Sequence, residues 1–414
     1  MKIALVIHKY DAAGGGAERW TDRHARMLVT NGHDVHVVAA SIYDAPKGVT
    51  CHVIGAGTRR GPFTKTKAAQ QMAQFLRKQS FEIIHDMGVS WYCDLFMPHH
   101  GTHRSVYDQR STNLILPERC IRNASYCLLP RYLQFQYIEK RQYARASKKL
   151  FIAVSNMVRQ QIMANHNVPE DRIRVVYNGI DTQHFRPARA TPQRDSLRRQ
   201  LGFTDHTLFL MVANDFDLKG LNTILHAMAT LRRKGMRVGM MVVGAGTMKG
   251  RKVFGLSMGR ACDRFSRLAR KLGCDDVIRF VGYQDRPLPY YHAADVYVQP
   301  SLYDACSLVV LEAMACGLPV ITSKHNGVSS LITPDSEGRV IDDPHCVNEL
   351  AAAMQAYLDP MQRQAVGRRA RCRAEKHSAQ HNYDEITALY NEHVQDRTRN
   401  TADSQTKEQC AYVR

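Results

Sequence analysis

The sequence predicts an α/β protein built as two doubly wound domains facing a central cleft. Three observations point there. Apolar runs such as Ile3-Ala4-Leu5-Val6-Ile7 and Leu208-Phe209-Leu210-Met211-Val212 suit parallel strands covered on both faces. Each run leads through a glycine-bearing turn into a helical pattern, so strand, helix and strand alternate along the chain. Between the halves, residues 186–195 read Arg-Pro-Ala-Arg-Ala-Thr-Pro-Gln-Arg-Asp, a polar stretch with the composition of a linker.

The elements follow in order. A strand is expected over 2–8, and Gly14-Gly15-Gly16 then turns the chain into a helix over 17–31 that Gly32 ends. A second strand covers 34–40. Next come a helix over 70–79, short strands over 82–85 and 95–98, a strand over 149–155, a helix over 157–165 and a strand over 173–177. The second half opens with a strand over 208–213, a helix over 220–234 and a strand over 239–243. A helix over 265–272, strands over 278–281 and 296–299, a helix over 308–316 and a strand over 319–322 complete it. Residues 397–414 are polar and read as a disordered tail.

Composition narrows the function. At 414 residues the chain has room for two or three domains. Apolar residues at 44% and charged residues at 23% exclude a disordered chain, a collagen-like fibre and a small disulfide scaffold. Lys plus Arg outnumber Asp plus Glu by 57 to 38, and a formal charge of +19 predicts polyanionic partners. Eleven cysteines include no C-x-x-C pair, which favours reduced thiols over a zinc ribbon. The five apolar residues near the N-terminus are too few for a signal-peptide core, and no stretch reaches a spanning length, so a cytoplasmic protein is expected.

The most informative stretch is Tyr303-Asp304-Ala305-Cys306-Ser307-Leu308, which runs into an apolar helix carrying Glu312. A helix beginning near Ser307 offers unpaired N–H groups and a favourable dipole to an anion. An acid just outside that terminus can hold sugar hydroxyls. The plainer alternative makes Asp304 a helix cap and Glu312 part of a solvated face. Phe216-Asp217-Leu218-Lys219-Gly220 is a turn whose lysine can act as a point charge on phosphate, or simply be solvated. The glycine run 14–16 lacks the G-x-G-x-x-G spacing, since position 19 is Arg, and no acid follows the second strand, so a nicotinamide enzyme is disfavoured. Its backbone can still approach phosphate or an acceptor closely. His99, His100 and His103 lie within five residues, but no second cluster of Cys, Asp or Glu accompanies them, and no metal site is expected.

Residues 104–149 hold ten Lys or Arg, among them Arg119, Arg122 and Arg131, against three acids. Tyrosines and leucines are interleaved, a mixture suited to an anionic bilayer surface. It would also suit nucleic acid, or a helical flap with a solvated basic face. A second basic run spans 249–271 and could line the cleft mouth.

Asp304-x7-Glu312 resembles the acidic-x7-Glu signature of the retaining glycosyltransferases of family 4, which have the GT-B fold. The family's usual first residue is Glu, one methylene longer than Asp304. Gly14-Gly15-Gly16-Ala17-Glu18-Arg19, Ser155, Tyr177-Asn178-Gly179-Ile180-Asp181, Lys219-Gly220, Val243-Gly244-Ala245-Gly246, Phe280-Val281-Gly282-Tyr283 and Ala293-Ala294-Asp295-Val296 resemble family motifs in the expected order. Within the family, His8-Lys9-Tyr10 and Asn214-Asp215-Phe216 are most similar to the lipopolysaccharide core glucosyltransferase subgroup. The family often carries an Arg where this chain has Asn214, which leaves Lys219 as the main cation on the leaving diphosphate.

The resemblance implies an acceptor-side Rossmann-like domain over 1–182, a nucleotide-sugar domain over 183–378, and a helix over 379–396 crossing back to the first domain. It implies metal-independent, cofactor-free transfer of a hexose, with glucose from UDP-glucose the leading candidate, and with retention. Lys219 would offset diphosphate charge, Glu312 would hold the ribose, Asp304 would hold donor-sugar hydroxyls and His100 would face the reacting sugar. Gly15, Gly16, Asn214, Ser307 and Leu308 would border the donor. A donor phosphate oxygen would take the acceptor proton. The implied acceptor is a membrane-associated glycan or glycolipid, such as lipopolysaccharide core, reached from the cytoplasmic face of the inner membrane, and no nucleic acid is expected. The alternative is a basic membrane-surface or nucleic-acid-binding protein without catalysis.

Overall fold

A computed structural model describes residues 1–55, 63–112, 116–144, 149–188, 191–244, 252–253, 256–257 and 261–411. The chain divides into two compact units, Met1–Tyr177 with Gln380–Arg414, and Asn178–Ala379.

The first unit contains β1 (Lys2–Asp11), α1 (Gly16–Thr30), β2 (Asp34–Tyr43), β3 (Val49–Val53), α2 (Thr64–Arg77), β4 (Ile83–Asp86) and β5 (Leu95–Phe96). It continues with α3 (His103–Gln109), α4 (Leu116–Leu128), α5 (Pro130–Gln142), β6 (Leu150–Ala153), α6 (Asn156–His166) and β7 (Ile173–Val175). The strands form one parallel sheet in the order β3-β2-β1-β4-β5-β6-β7. Strand order reverses between β1 and β4, so the chain leaves those neighbours in opposite directions and opens a crevice at their carboxyl ends. Ile3 through Ile7 are all buried, as a strand covered on both faces requires. In α1 the buried residues Ala17, Trp20, Thr21, His24, Ala25 and Leu28 repeat at helical spacing.

The second unit contains α7 (Pro192–Leu201), β8 (Thr207–Val212), α8 (Leu221–Arg233), β9 (Val238–Val243), β10 (Lys252–Val253), β11 (Leu256–Ser257), α9 (Ala261–Lys271) and β12 (Ile278–Gly282). After these come α10 (Leu288–Ala293), β13 (Val296–Gln299), α11 (Leu308–Ala315), β14 (Val320–Ser323), β15 (Gly338–Ile341), α12 (Val347–Ala356) and α13 (Pro360–Glu375). Its six-stranded parallel sheet runs β12-β9-β8-β13-β14-β15, with the reversal between β8 and β13.

The long α14 (Ala379–Ala411) packs with the first unit. Trp20 Nε1 donates to Asn382 Oδ1 at 2.9 Å, and the Tyr390 hydroxyl lies 3.0 Å from His24 Nε2 and 2.7 Å from His85 Nδ1.

Several elements depart from expectation. Residues 192–201 are helical although 186–195 reads as linker, because Thr191 Oγ1 accepts the Arg194 N–H and Pro192 sits in the first turn, where it needs no donor. α2 starts at Thr64, ahead of the expected 70, since its first turn carries no apolar periodicity. The disordered tail expected from 397 is instead helix to Ala411, continuous with the packed part of α14. Residues 189–190 of the expected linker lie outside the described residues.

Candidate active site

In the second unit the chemistry gathers where β8 and β13 part. After β8 the chain makes a tight turn: Asp215 Oδ1 accepts the Leu218 N–H at 3.0 Å, and the Lys219 N–H donates to Asp215 O at 3.1 Å. Gly220 closes it at φ +80°, and an added Cβ would collide with the Pro300 carbonyl oxygen. Only glycine therefore lets this turn press against the loop that follows β13. The approach delivers Lys219 Nζ to 2.6 Å from Asp304 Oδ2 and 3.3 Å from the Tyr303 carbonyl.

The loop that carries Asp304 is pinned from several sides. The Asp304 N–H donates to His325 O at 3.0 Å, and Asp304 O accepts from the Gly327 N–H at 2.8 Å. Asn178 Nδ2 donates to Cys306 O at 3.0 Å. Gln299, fully buried at the end of β13, directs Nε2 at Ser301 Oγ (2.9 Å), Ser307 Oγ (3.2 Å) and Asp304 Oδ2 (3.3 Å). The Tyr297 hydroxyl fixes that amide by donating to Gln299 Oε1 at 2.6 Å.

Ser307 is the N-cap of α11, so Asp304 is not its cap. The Ser307 hydroxyl is engaged by Gln299, and its side chain makes no capping bond. Leu308 and its successors start the helix, and their N–H groups have no intrahelical partner, a geometry that suits an anion. Glu312, one turn further, is buried rather than on a solvated face; its Oε2 accepts the Tyr291 hydroxyl at 2.7 Å. Burial and the Glu312 carboxylate hold the Tyr291 phenol well above its ordinary pKa, so it remains a donor.

Asn214 heads the turn five residues before Lys219 and brings no charge there. Arg264 on α9 pairs with Asp217 in the same turn, so part of the second basic run does reach this site. Lys249, Arg251 and Arg260 of that run lie outside the described residues.

The first unit holds a cavity of ≈ 240 Å³ at the carboxyl ends of β1, β4 and β5, lined by His8, Glu18, Lys65, His100, His103 and Glu139 among apolar residues. The three clustered histidines part ways. His99 is buried with its ring 4.7 Å from that of Trp20, and burial pushes its pKa down to about 3. His100 and His103 border the cavity, His103 with its ring 4.3 Å from that of Phe135. Among the described residues no His, Cys, Asp and Glu gather as a metal-holding group.

Gly15 is the N-cap of α1 and Gly16 its first residue. The Glu18 carboxylate lies 2.9 Å from where a Gly15 Cβ would stand. That acid complements the helix dipole at this terminus.

On the basic segment, Arg119 is exposed but Arg122 turns inward. Arg122 Nη1 donates to Arg110 O at 3.2 Å and its guanidinium lies 4.8 Å from the Tyr107 ring centre, which corrects its reading as a surface contact. The Arg131 side chain, Arg145 and Lys148 lie outside the described residues. Leu116, Ile121 and Leu128 are 76%, 69% and 73% exposed, and Leu129, Leu133 and Tyr137 are also exposed. No described helix is long and apolar enough to cross a membrane.

Sequence reasoning missed Gln299, Tyr291 and Lys65, and named Asn178 only as part of the 177–181 motif. Gln299 alone left a local signal, as the polar residue ending the run Val296-Tyr297-Val298. The others reach the two sites from distant segments.

Residues 14–184 match Glycosyltransferase Family 4, and residues 193–373 match Glycosyl transferases group 1. The D-inositol 3-phosphate glycosyltransferase of Pseudarthrobacter chlorophenolicus is 30% identical over 227 residues, 54% of this chain and 51% of that protein. The chain thus matches about half the length of that relative. An uncharacterized glycosyltransferase of Methanocaldococcus jannaschii is 26% identical over 355 residues, 82% of this chain and 84% of its own length. Among solved structures, WaaG, a glycosyltransferase involved in lipopolysaccharide biosynthesis, superposes with a TM-score of 0.77 at 20% identity, covering 94% of this chain and 99% of that one. Anabaena HepE in complex with UDP and glucose gives 0.66 at 16% identity, covering 94% and 99%.

Proposed function

We infer the activity from one premise: the chain belongs to the glycosyltransferases of family 4 and group 1, and is an enzyme with the GT-B fold. We propose that it transfers a hexose, with glucose first among candidates, from UDP-glucose to a membrane-associated glycan or glycolipid, with retention and without a metal. The observation that carries this reading is the Lys219–Asp304 pair at 2.6 Å, set at the switch point of the second sheet beside the start of α11.

In this reading the first-turn N–H groups from Leu308 onward and the Lys219 ammonium receive the diphosphate. Charge grows on that group as the glycosidic bond breaks, and fixed donors in a partly dry site stabilise it with little reorganisation. Lys219 then divides its charge between Asp304 and the leaving group. Asp304, held by Gln299, accepts hydrogen bonds from donor-sugar hydroxyls. Glu312 accepts the ribose hydroxyls, with Tyr291 orienting its carboxylate. His100 faces the transferred sugar, and a donor phosphate oxygen takes the acceptor proton. HepE, a neighbour in fold, was solved with UDP and glucose, which supports the donor assignment.

A membrane-borne acceptor is supported by the α4–α5 segment. Exposed Leu116, Ile121 and Leu128 beside Arg119 form the amphipathic, basic surface that settles on anionic lipid. WaaG, a neighbour in fold, is involved in lipopolysaccharide biosynthesis, which is compatible with such an acceptor. The protein would work peripherally on the cytoplasmic face of the inner membrane.

A thermal-shift screen over UDP-, GDP-, ADP- and dTDP-sugars tests the donor. UDP-glucose should raise the melting temperature most, through preferential binding to the folded chain. A shift with none of the four sugars would remove the nucleotide-sugar reading.

A further inference from the structure

One wall of the first-unit cavity carries a solvent-exposed cation. Lys65 lies on its wall with the ammonium 4.4 Å from the Phe135 ring centre, and among the described residues no carboxylate pairs with it. Both acids of the wall are engaged elsewhere. Glu139 Oε1 accepts the His103 N–H at 2.7 Å and lies 3.7 Å from His166 Nε2. Glu18 is turned to the start of α1 beside Gly15.

The rest of the wall suits one polar ring. Ile7, Phe96 and Tyr143 supply apolar surface, while His8 and His103 add imidazoles beside Lys65. Burial first, with Lys65 adding to it and Glu18 or Glu139 opposing it, lowers the pKa of both histidines. A neutral imidazole presents one N–H donor and one acceptor, so the histidines can read hydroxyls or an anion without adding charge. At ≈ 240 Å³ the cavity is below the ~300–1,000 Å³ of sites for drug-sized ligands and matches a single sugar-sized group.

We infer that this cavity receives an acidic sugar, with Lys65 binding the phosphate ester or carboxylate that the acceptor carries. The inference rests on the transferase reading and names the chemical class of its acceptor. An ammonium with no internal counter-charge is matched by an anion of the ligand, and hydrogen bonds to charged groups are among the stronger ones available.

The test is calorimetry on the full chain, with UDP present, using glucose 6-phosphate, glucuronate and glucose as probes. The wild type should bind at least one acidic probe about tenfold or more tightly than glucose. Lys65→Met should abolish that preference, Lys65→Arg should keep most of it, and UDP affinity should be the same in all three proteins. Preference for glucose 6-phosphate alone assigns a phosphate ester; preference for both acidic probes assigns an anion of either kind. If UDP binds but the wild type shows no preference, or Lys65→Met retains it, the anion assignment is wrong and the transferase reading stands. If UDP does not bind, the transferase reading fails and takes this inference with it.

Discussion

Lys219 and Asp304 are 85 residues apart in sequence, yet the ammonium and the carboxylate lie 2.6 Å apart. Each side chain is less than one-fifth exposed, so salt screens this pair less than it would a surface pair. The lysine charge is therefore held in place before any donor arrives. Because Asp304 is a methylene shorter than Glu, the Gly220 turn must come close to the β13 loop for the two to meet.

If Lys219 stabilises the leaving diphosphate, Lys219→Ala should lower turnover by ~100-fold or more at saturating donor, with a smaller effect on donor binding. Asp304→Asn should do the reverse for ground-state affinity: with its counter-charge gone, Lys219 binds UDP more tightly while turnover falls. Steady-state UDP release and UDP titration together read both outcomes. A Lys219→Ala enzyme that turns over normally would mean that another group carries the charge.

Glu312→Ala should weaken UDP binding by roughly 1–3 kcal/mol, because it removes a buried acceptor and leaves the Tyr291 hydroxyl only the longer bond to Val309 O. Tyr291→Phe, which keeps the carboxylate and loses only its orienting donor, should cost less. Calorimetry on proteins whose circular dichroism matches the wild type decides this. Equal affinity in Glu312→Ala and wild type contradicts the ribose role.

These sites were legible in the sequence only as far as their signals were local. The acid-to-Glu312 spacing, the Lys219-Gly220 turn and the Ile3 to Ile7 strand each lie within a dozen residues, and the structure has those residues where the pattern predicts. The pairing of Lys219 with Asp304 was not legible, nor was the Asn178 bond to Cys306 across 128 residues, because both arise from how distant strands neighbour each other. The helix at 192–201 was hidden by its own proline, which reads as a breaker unless the Thr191 cap is noticed. The inward turn of Arg122 depended on Tyr107, a contact that charge counting cannot reveal.

Acid should destabilise the protein through three buried histidines. His24 and His99 have pKa values pushed down to about 3, and His85 is held well below its ordinary value, all chiefly by burial. The unfolded chain binds these protons near pH 6.5 while the folded chain does not, so stability is full above 6.5 and falls as pH drops toward 3. Each histidine contributes on the order of 1 kcal/mol per pH unit over that window. Urea midpoints between pH 7 and 5 should therefore decline, and His99→Gln should flatten the decline. A pH-independent midpoint over that range would contradict the neutral-histidine account.

The α4–α5 surface should bind anionic liposomes at low salt and neutral ones weakly. A cation near such a surface contributes ~1 kcal/mol, fading within a Debye length. Replacing Arg119, Leu116, Ile121 and Leu128 by Gln should release the protein without changing UDP affinity, whereas Arg122→Gln should lower thermal stability because that side chain packs on Tyr107. Co-sedimentation measures the first effect and thermal melting the second. Wild-type protein that ignores anionic vesicles at low ionic strength would point to a soluble acceptor.

Retaining transfer from a UDP-hexose, with Lys219 on the leaving group, can be followed at the anomeric carbon. Proton NMR of UDP-glucose incubated with the enzyme and EDTA, water serving as slow acceptor, tests it most directly. UDP should be released with α-glucose appearing before its β anomer, and Lys219→Ala should lose both signals. Appearance of β-glucose first, or undiminished release by Lys219→Ala, would contradict it.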